Sequence, residues 1–99
     1  MKQYYVYMLT NKSDTVYYVG FANNIIRRAY EHRNKLNEGY TKRYNLNKLV
    51  YYEVYDNPNN AIEREKKLKK WSRDKKKWLV GNFNYKNEDL WDMVVRDLM

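Results

Sequence analysis

The side chains in this chain that are best suited to chemistry are Tyr7, Tyr18, Arg28, His32 and Glu65. Tyrosine hydroxyls donate hydrogen bonds to phosphate or water, an arginine stabilises developing negative charge, and a histidine accepts a proton near neutral pH. A carboxylate can hold a hard divalent cation through its oxygens. These groups together suit the hydrolysis of a phosphodiester bond, provided that the fold gathers them at one place.

Glu65 is unusual because it lies on the apolar side of a predicted helix, with Ala61, Ile62 and Leu68. A carboxylate turned toward a sheet is costly unless it is paired, protonated or bound to a cation. An ion pair with Arg28 or a nearby lysine, or a side chain that extends to the rim, explains the pattern about as well as a metal does. As a metal ligand, Glu65 would suit Mg²⁺ or Mn²⁺ together with water and phosphate oxygens.

Arg28 and His32 are four residues apart, so both project from one side of the first predicted helix. In a basic protein, a solvated arginine and a half-buried histidine bonded to a backbone carbonyl are the commoner outcomes of such a pattern. The functional alternative assigns them separate roles. Arg28 would stabilise charge in the transition state, and His32 would orient or deprotonate the attacking water.

The two tyrosines carry a weaker signal, because the chain has 12 tyrosines and most of them serve as amphipathic packing. A phenol has a reference pKa of about 10, so Tyr7 or Tyr18 would act as a base only if a cation or metal stabilised its phenolate. We therefore assign both to positioning phosphate or water. Gly20, at the end of the second predicted strand, either leaves room for a close approach or serves a bulge or turn.

Apolar patterning predicts the elements that hold these residues. Residues 4–9 and 16–21 are rich in β-branched and aromatic side chains and predict two strands, joined by a hairpin loop at 11–14. A four-residue loop would place Tyr7 directly opposite Tyr18. A helix capped by Asn23 or Asn24 is expected to run to about residue 37, with a buried side formed by Ile25, Ala29, His32 and Leu36.

The second half of the chain predicts a third strand at 48–55 and three helices. The first of these helices follows Pro58 and is capped by Asn59 or Asn60. The second begins at a Ser72 cap, ends at Gly81, and turns three residues inward: Trp78, Leu79 and Val80. The last is a short terminal helix that packs on the domain through Leu90, Met93, Val94 and Leu98.

Length and composition limit the function classes. The chain has 99 residues, which suits one compact domain, and 20 Lys and Arg against 12 Asp and Glu give a net charge of +8. A polyanion, above all nucleic acid, is the natural partner of such a charge. The absence of cysteine excludes disulfides and thiolate metal sites. No apolar stretch is long enough for a signal peptide or membrane span, so we expect a cytoplasmic protein without a membrane partner.

The densest basic run extends from Lys66 to Lys77 and is interleaved with Leu68, Trp71 and Asp74. A run of this kind is usually a solvated helix face, but so many cations create a field that binds phosphates. No base-reading motif accompanies it, so we expect contacts with the backbone of DNA, or alternatively RNA. The expected nucleic-acid-binding residues are Lys42, Arg43, Lys66, Lys69, Lys70, Arg73, Lys76 and Lys77.

Taken in order, these segments resemble the GIY-YIG nucleases, in particular small stand-alone bacterial members, over nearly the whole chain. Tyr5-Val6-Tyr7 stands at the first motif and Tyr18-Val19-Gly20 at the second. The segment from residue 23 to 32 resembles the helix that follows them. The segment from 61 to 65 resembles the one that supplies the metal-binding glutamate, which by position is Glu65, with Glu63 as the alternative.

The resemblance implies an α+β fold, in which helices flank a three-stranded antiparallel sheet as in the GIY-YIG α/β sandwich. It implies a single domain with its core at about 3–82 and a C-terminal extension at about 83–99. It also implies a divalent-metal-dependent DNA endonuclease, holding Mg²⁺ or Mn²⁺, with DNA repair or recombination as its setting. The alternative is a non-catalytic nucleic-acid-binding module of the same fold.

Two positions depart from the family pattern. Tyr5 replaces the glycine of the first motif, and the C-terminal asparagine of some members has only Asn82 and Asn84 as candidates. Many larger relatives carry a separate DNA-binding domain, for which this chain is too short. Substrate choice must therefore come from this domain or from a protein partner.

Overall fold

The computed structural model of the chain describes residues 2–33 and 43–98. The elements in these ranges are β1 (Tyr4–Thr10), β2 (Tyr17–Ala22), α1 (Ile25–Arg33), β3 (Lys48–Tyr55), α2 (Pro58–Lys69), α3 (Arg73–Phe83) and α4 (Trp91–Leu98). The strands form one antiparallel sheet in the order β2-β1-β3, so β1 is central and β2 is an edge. The predicted α+β fold, with a three-stranded antiparallel sheet and flanking helices, is confirmed.

The register between β1 and β2 differs from the prediction. Tyr7 pairs with Gly20, and Tyr18 pairs with Leu9, so the two tyrosines are diagonal neighbours. The prediction that Tyr7 and Tyr18 lie directly opposite each other is therefore wrong. Because side chains alternate between the faces of a sheet with a period of two, the shift of two residues leaves both tyrosines on one face.

The cause of the shift is the connection between β1 and β2, which spans residues 11–16 and is longer than the predicted 11–14. Asn11 Oδ1 accepts hydrogen bonds from the backbone N–H groups of Thr15, at 2.9 Å, and Val16, at 3.2 Å. Thr15 and Val16 are β-branched and favour strands, but these side-chain to backbone bonds hold them in the loop. Asp14 secures the loop further, because its Oδ1 accepts from the Thr10 hydroxyl at 3.0 Å.

The two faces of the sheet carry separate apolar clusters, because successive residues of β1 point to opposite sides. On one face, Tyr5, Tyr7 and Leu9 pack with residues of α1 and α4, including Ile25, Ala29, Trp91 and Val94. On the other face, Val6 and Met8 pack with residues of α2 and α3, including Ala61, Leu68 and Val80. The sheet is therefore a middle layer, and both helix pairs are held against it by burial of apolar surface.

The cap of helix α2 lies two or three residues before the predicted position. Asn57, and not Asn59 or Asn60, is the cap: its side chain accepts from the backbone N–H groups of Asn59, at 2.8 Å, and Asn60, at 3.3 Å. Pro58 occupies the first helical turn, where the missing N–H of proline leaves no hydrogen bond unmade. This cap fixes the start of the helix that carries Glu65.

Helix α3 begins as predicted, because Ser72 Oγ accepts from the Lys75 backbone N–H at 3.2 Å. The predicted end at Gly81 is wrong, since the helix runs through Gly81 to Phe83. The inward orientation predicted for Trp78 is also wrong: Trp78 is 62% exposed, whereas Val80 is buried. Residues at positions i and i+2 of a helix are about 200° apart around its axis, so Trp78 and Val80 cannot share one face.

The predicted terminal helix is confirmed as α4, whose Val94 is buried in the cluster that also contains residues of α1. The Trp91 indole donates to the Asn47 carbonyl at 3.1 Å, which anchors the start of α4. The part of the first predicted helix beyond Arg33, and Lys42, lie outside the described residues. Within the described ranges, no helix combines the length and apolarity that a membrane crossing requires.

Candidate active site at the edge of the sheet

The Tyr7 side chain crosses β2 at Gly20. A Cβ atom placed on Gly20 would lie 2.6 Å from Tyr7 Oη and 2.9 Å from Tyr7 Cε1, which is closer than such atoms can approach. The missing side chain therefore provides the space in which the phenol lies. Because β2 is the edge strand, the Tyr7 hydroxyl is carried over the sheet edge, although the ring itself is buried.

The Tyr7 hydroxyl is surrounded by charged and polar groups from three other elements. Burial is the largest cause that raises the pKa of Tyr7 to about 12, the positive charge of Arg28 opposes it, and Tyr18, Glu65 and Glu31 reinforce it. The structure therefore brings Tyr7, Tyr18, Arg28 and Glu65 into one neighbourhood. At neutral pH the Tyr7 phenol keeps its proton and is a hydrogen-bond donor.

Arg28 projects from α1, and its side chain is half exposed. Its Nη1 donates to Glu31 Oε1 at 3.3 Å, and Arg27 Nε lies 3.8 Å from Glu31 Oε2. Glu31 was not among the predicted site residues, although its spacing of three and four residues from the two arginines is the spacing at which helix side chains meet. The backbone of His32 belongs to α1, but its side chain lies outside the described residues.

Glu65 projects from α2, and 17% of its side chain is exposed. Lys69 Nζ lies 3.3 Å from Glu65 Oε2, one helical turn further along. The ion pair that the sequence left open for Glu65 is thus formed with a nearby lysine and not with Arg28. Lys69 had been identified only as a nucleic-acid contact, and the i to i+4 spacing could have shown the pair.

The donor set around Glu65 limits which metal the site can take. Among the described residues, no three His, Cys, Asp or Glu side chains gather into a group that could hold a metal by themselves. Mg²⁺ and chemically similar cations do not need such a group, since they keep several waters and bind one or two carboxylates with phosphate oxygens. A single carboxylate beside phosphate-binding groups therefore fits a hard cation, and Glu65 is the residue that would hold it.

Some of the predicted nucleic-acid-binding residues lie at one cleft, and others lie elsewhere on the surface. Lys69 and Lys76 line a cleft beside Tyr18. Arg73 lies close by, with its Nη1 donating to the Thr15 carbonyl at 3.4 Å. The other described members of the predicted set are exposed but do not line this cleft: Arg43, Lys66, Lys70 and Lys77.

The two departures from the family pattern have structural roles. Tyr5 is buried among residues of α1 and α4, two positions from Tyr7 on the same face, so it fills apolar core where the motif has glycine. Asn84 Nδ2 donates to the carbonyls of Val50, at 3.1 Å, and Glu88, at 2.8 Å. These bonds tie the end of α3 to β3, while Asn82 is exposed.

Comparisons with known proteins agree with this arrangement. The GIY-YIG catalytic domain family matches residues 3–77. A UPF0213 protein of Clostridium perfringens is 35% identical over 85 residues, covering 86% of this chain and 90% of that protein. A UPF0213 protein of Staphylococcus saprophyticus is 35% identical over 81 residues, covering 82% of this chain and 98% of that protein.

A solved structure supports the same assignment. The solution NMR structure of a UPF0213 protein from Bacillus halodurans has a TM-score of 0.56 and 30% sequence identity, and the match covers 86% of this chain and 92% of that chain. The family match includes both tyrosine motifs, α1 and α2. The predicted resemblance is confirmed, and the chain belongs to the GIY-YIG family.

Proposed function

We propose that this protein is a divalent-metal-dependent DNA endonuclease that hydrolyses phosphodiester bonds. The observation that carries the proposal is the convergence of Tyr18, Arg28 and Glu65 on the Tyr7 hydroxyl. Hydrogen-bond donors, a cation and a carboxylate that meet at one sheet edge suit a phosphodiester better than an uncharged substrate. Membership of a nuclease family supports the same reaction.

In this reaction a water attacks phosphorus, the bond between phosphorus and the leaving oxygen breaks, and the leaving oxygen takes up a proton from solvent water. Tyr7 keeps its proton, because burial raises its pKa to about 12. Its role is therefore to donate a hydrogen bond that orients the phosphate or the water, and Tyr18 acts beside it in the same way. Arg28 stabilises the negative charge that builds on the phosphate oxygens.

The proton of the attacking water needs an acceptor. His32 is our candidate, because an imidazole can accept a proton near neutral pH and His32 is one helical turn from Arg28. Glu31 contributes indirectly, since its hydrogen bond with Arg28 limits the positions of that side chain. In these assignments the tyrosines orient the phosphate or the water, Arg28 stabilises negative charge, and His32 accepts the proton.

Glu65 would hold Mg²⁺ or Mn²⁺ at this site. When bound, such an ion neutralises charge on the phosphate and on the leaving oxygen. Lys69 occupies one oxygen of the carboxylate at 3.3 Å, so it must move aside to make that oxygen available. The Lys69 side chain is 52% exposed, so water can solvate its ammonium group once it has moved.

DNA is the proposed polymer, with repair or recombination as the setting, and RNA is the alternative. The net charge of +8 favours any nucleic-acid backbone. A non-catalytic binding module is the second candidate function, and the Glu65–Lys69 ion pair favours it, because a lysine can simply satisfy the carboxylate. The two functions share affinity for nucleic acid and differ in turnover.

The test is a cleavage panel of duplex, single-stranded, flapped and branched DNA, with matching RNA, in Mg²⁺, Mn²⁺ or chelator. The endonuclease proposal predicts cutting of at least one DNA structure in metal and none in chelator. Binding in the same samples should weaken steeply with salt, because lysine contacts release counterions. Salt-sensitive binding without cutting of any substrate would instead establish the binding module.

A further inference from the structure

A cleft of about 230 Å³ opens at the β2 edge, beside the proposed active site. It is lined by Tyr17, Tyr18, Val19, Lys69 and Lys76, so it lies between the edge strand and the α2 and α3 helices. Lys69 and Lys76 contribute two cationic side chains to this lining, and no carboxylate is among the described residues that line it. The chemistry of the lining therefore suits an anion.

Two of the lining residues are poorly solvated. Lys76 is partly buried, which is unusual for lysine, and burial lowers its pKa. A partly desolvated ammonium gains more from a bound anion than a fully hydrated one does. Burial also raises the pKa of Tyr17, with Asp14 reinforcing this effect and Arg73 opposing it, so the Tyr17 hydroxyl stays protonated and can donate.

Lys69 connects this cleft with the proposed metal ligand. Lys69 lines the cleft, and its Nζ lies 3.3 Å from Glu65 Oε2. One exposed cation is thus shared between a carboxylate and an anion-binding surface. An anion in the cleft would compete with Glu65 for Lys69, because both negative groups would attract the same half-exposed ammonium group.

We propose that the cleft binds a second phosphate of the substrate strand, next to the phosphate that is cut, and that this phosphate draws Lys69 away from Glu65. The inference rests on the proposed function for the identity of the strand and the role of Glu65. Binding of this phosphate releases Glu65 for the metal, and binding of the metal releases Lys69 for the phosphate. The two binding events therefore favour each other. The site would take up its metal most readily when substrate is in place.

The first experiment measures binding in chelator, where no metal-dependent cutting occurs. The probe is a fluorescent single-stranded oligodeoxythymidine of about 12 nucleotides, a length that spans several phosphates of one strand. Lys69→Gln and Lys76→Gln should each raise Kd about tenfold, because each removes a charged hydrogen bond to phosphate. The control is Lys67→Gln, which removes the same charge from an exposed position of α2 outside the cleft.

Lys67→Gln should raise Kd only about twofold through the loss of net charge. Lys76→Arg keeps the positive charge at this half-buried position and should retain most of the affinity. This result would show that Lys76→Gln loses affinity through a lost contact and not through misfolding. Equal losses for the Lys69, Lys76 and Lys67 variants would overturn the phosphate site.

A double-mutant cycle tests the shared lysine. Glu65→Gln frees Lys69, so it should tighten oligonucleotide binding more than Glu63→Gln does, which removes the same charge from an exposed position on the same helix. Lys69→Gln should then cost more affinity in the Glu65→Gln background than in the wild type. Additive effects would show that Lys69 is not shared and would contradict the coupling.

A metal titration without DNA gives a second readout. Free Mn²⁺ measured by electron paramagnetic resonance should show tighter binding to Lys69→Gln than to Lys67→Gln, because Glu65 has lost its competing partner. Identical Mn²⁺ affinities would contradict the proposal. These binding measurements do not depend on turnover. A protein that never cuts would refute the nuclease but not the phosphate site in the cleft. A protein that cuts, but whose Lys69, Lys76 and Lys67 variants bind equally well, would refute only the phosphate site.

Discussion

The phenol of Tyr7 lies in the space that a side chain at Gly20 would fill, with its Oη 2.6 Å from the Cβ position of that residue. The tyrosine of one motif and the glycine of the next are thus two halves of a single contact across paired strands. The glycine is required by close packing and not by its backbone conformation, because its φ lies outside the left-handed region. Its loss should act on the active site directly.

Gly20→Ala should displace the Tyr7 ring and lower the cleavage rate. The added methyl group would also overpack a buried position, at a cost of about 1–3 kcal/mol in the free energy of unfolding. Gly81→Ala is the matched control, because a Cβ at Gly81 meets no atom within 4 Å. Gly81 lies in the last turn of α3, so that change should stabilise the protein by at most about 0.5–1 kcal/mol. Denaturant unfolding and cleavage assays of both variants check this, and a harmless Gly20→Ala would refute the contact.

Arg28 and Arg27 provide a second matched pair, because they are neighbours on α1 and both approach Glu31. Only Arg28 acts on the Tyr7 hydroxyl. Arg28→Ala should therefore lower kcat by about 10²–10³, the usual effect of losing one group that stabilises transition-state charge. Arg27→Ala should change kcat little and weaken substrate binding slightly through its charge. Single-turnover cleavage at saturating protein separates the two effects, and equal losses of kcat would remove Arg28 from its role.

A network centred on Glu53 joins β3 to the helix that carries Glu65. Arg64 donates to both carboxylate oxygens of Glu53, with Nη2 to Oε2 at 3.0 Å, and the hydroxyls of Tyr51 and Tyr55 donate to the same carboxylate. The Arg64 guanidinium also lies over the Trp71 ring, 5.4 Å from its centroid. These contacts fix the position of α2 relative to the sheet.

The network makes stability depend on acid pH. Burial opposes ionisation of Glu53, but hydrogen bonds from Arg64, Tyr51 and Tyr55 outweigh it and lower the pKa of Glu53 below its ordinary value of 4.5. A carboxyl whose folded pKa is lowered contributes stability above its unfolded pKa, and this contribution is lost as the pH falls through the folded pKa. The wild type should therefore lose stability as the pH falls below about 4.5.

Glu53→Gln should cost about 1–3 kcal/mol at neutral pH, because Arg64 loses a charged hydrogen-bond partner. Its stability should also change less with pH in the acid range than that of the wild type. Thermal unfolding followed from pH 7 to 3 tests both points, with the exposed Glu63→Gln as the charge control. Parallel acid profiles of wild type and Glu53→Gln would contradict the role of this carboxylate.

The sequence was sufficient to predict the three strands and the approximate helices, because alternating and helical apolar patterns are local. Tyr7, Tyr18, Arg28 and Glu65 were predicted from their residue types and from the family resemblance. The register of β1 and β2 was not predictable from these patterns. It depends on hydrogen bonds from the Thr15 and Val16 backbone to the Asn11 side chain, and both residues have a high strand propensity. Trp78 was misplaced because an apolar residue near a core segment was assumed to face inward, without regard to the angle that separates it from Val80.

The contacts of the site depend on tertiary structure to different degrees. The Arg28–Glu31 and Glu65–Lys69 pairs lie within single helices, and their spacing was visible in the sequence. The fit of Tyr7 over Gly20 joins two strands, so no pattern within either strand could predict it. Pairs within one helix can be predicted from their spacing in the sequence, whereas contacts between elements can be predicted only once the fold is known.

The role of Glu65 as metal ligand is tested by comparing metal-dependent cleavage by Glu65→Ala and Glu63→Ala. Both changes remove one carboxylate from α2, but only Glu65 acts on the Tyr7 hydroxyl. We predict that Glu65→Ala abolishes cutting in Mg²⁺ and Mn²⁺ while it still binds DNA, and that Glu63→Ala cuts like the wild type. Equal cleavage by the wild type and Glu65→Ala would contradict Glu65 as the metal ligand and, with it, the proposed mechanism.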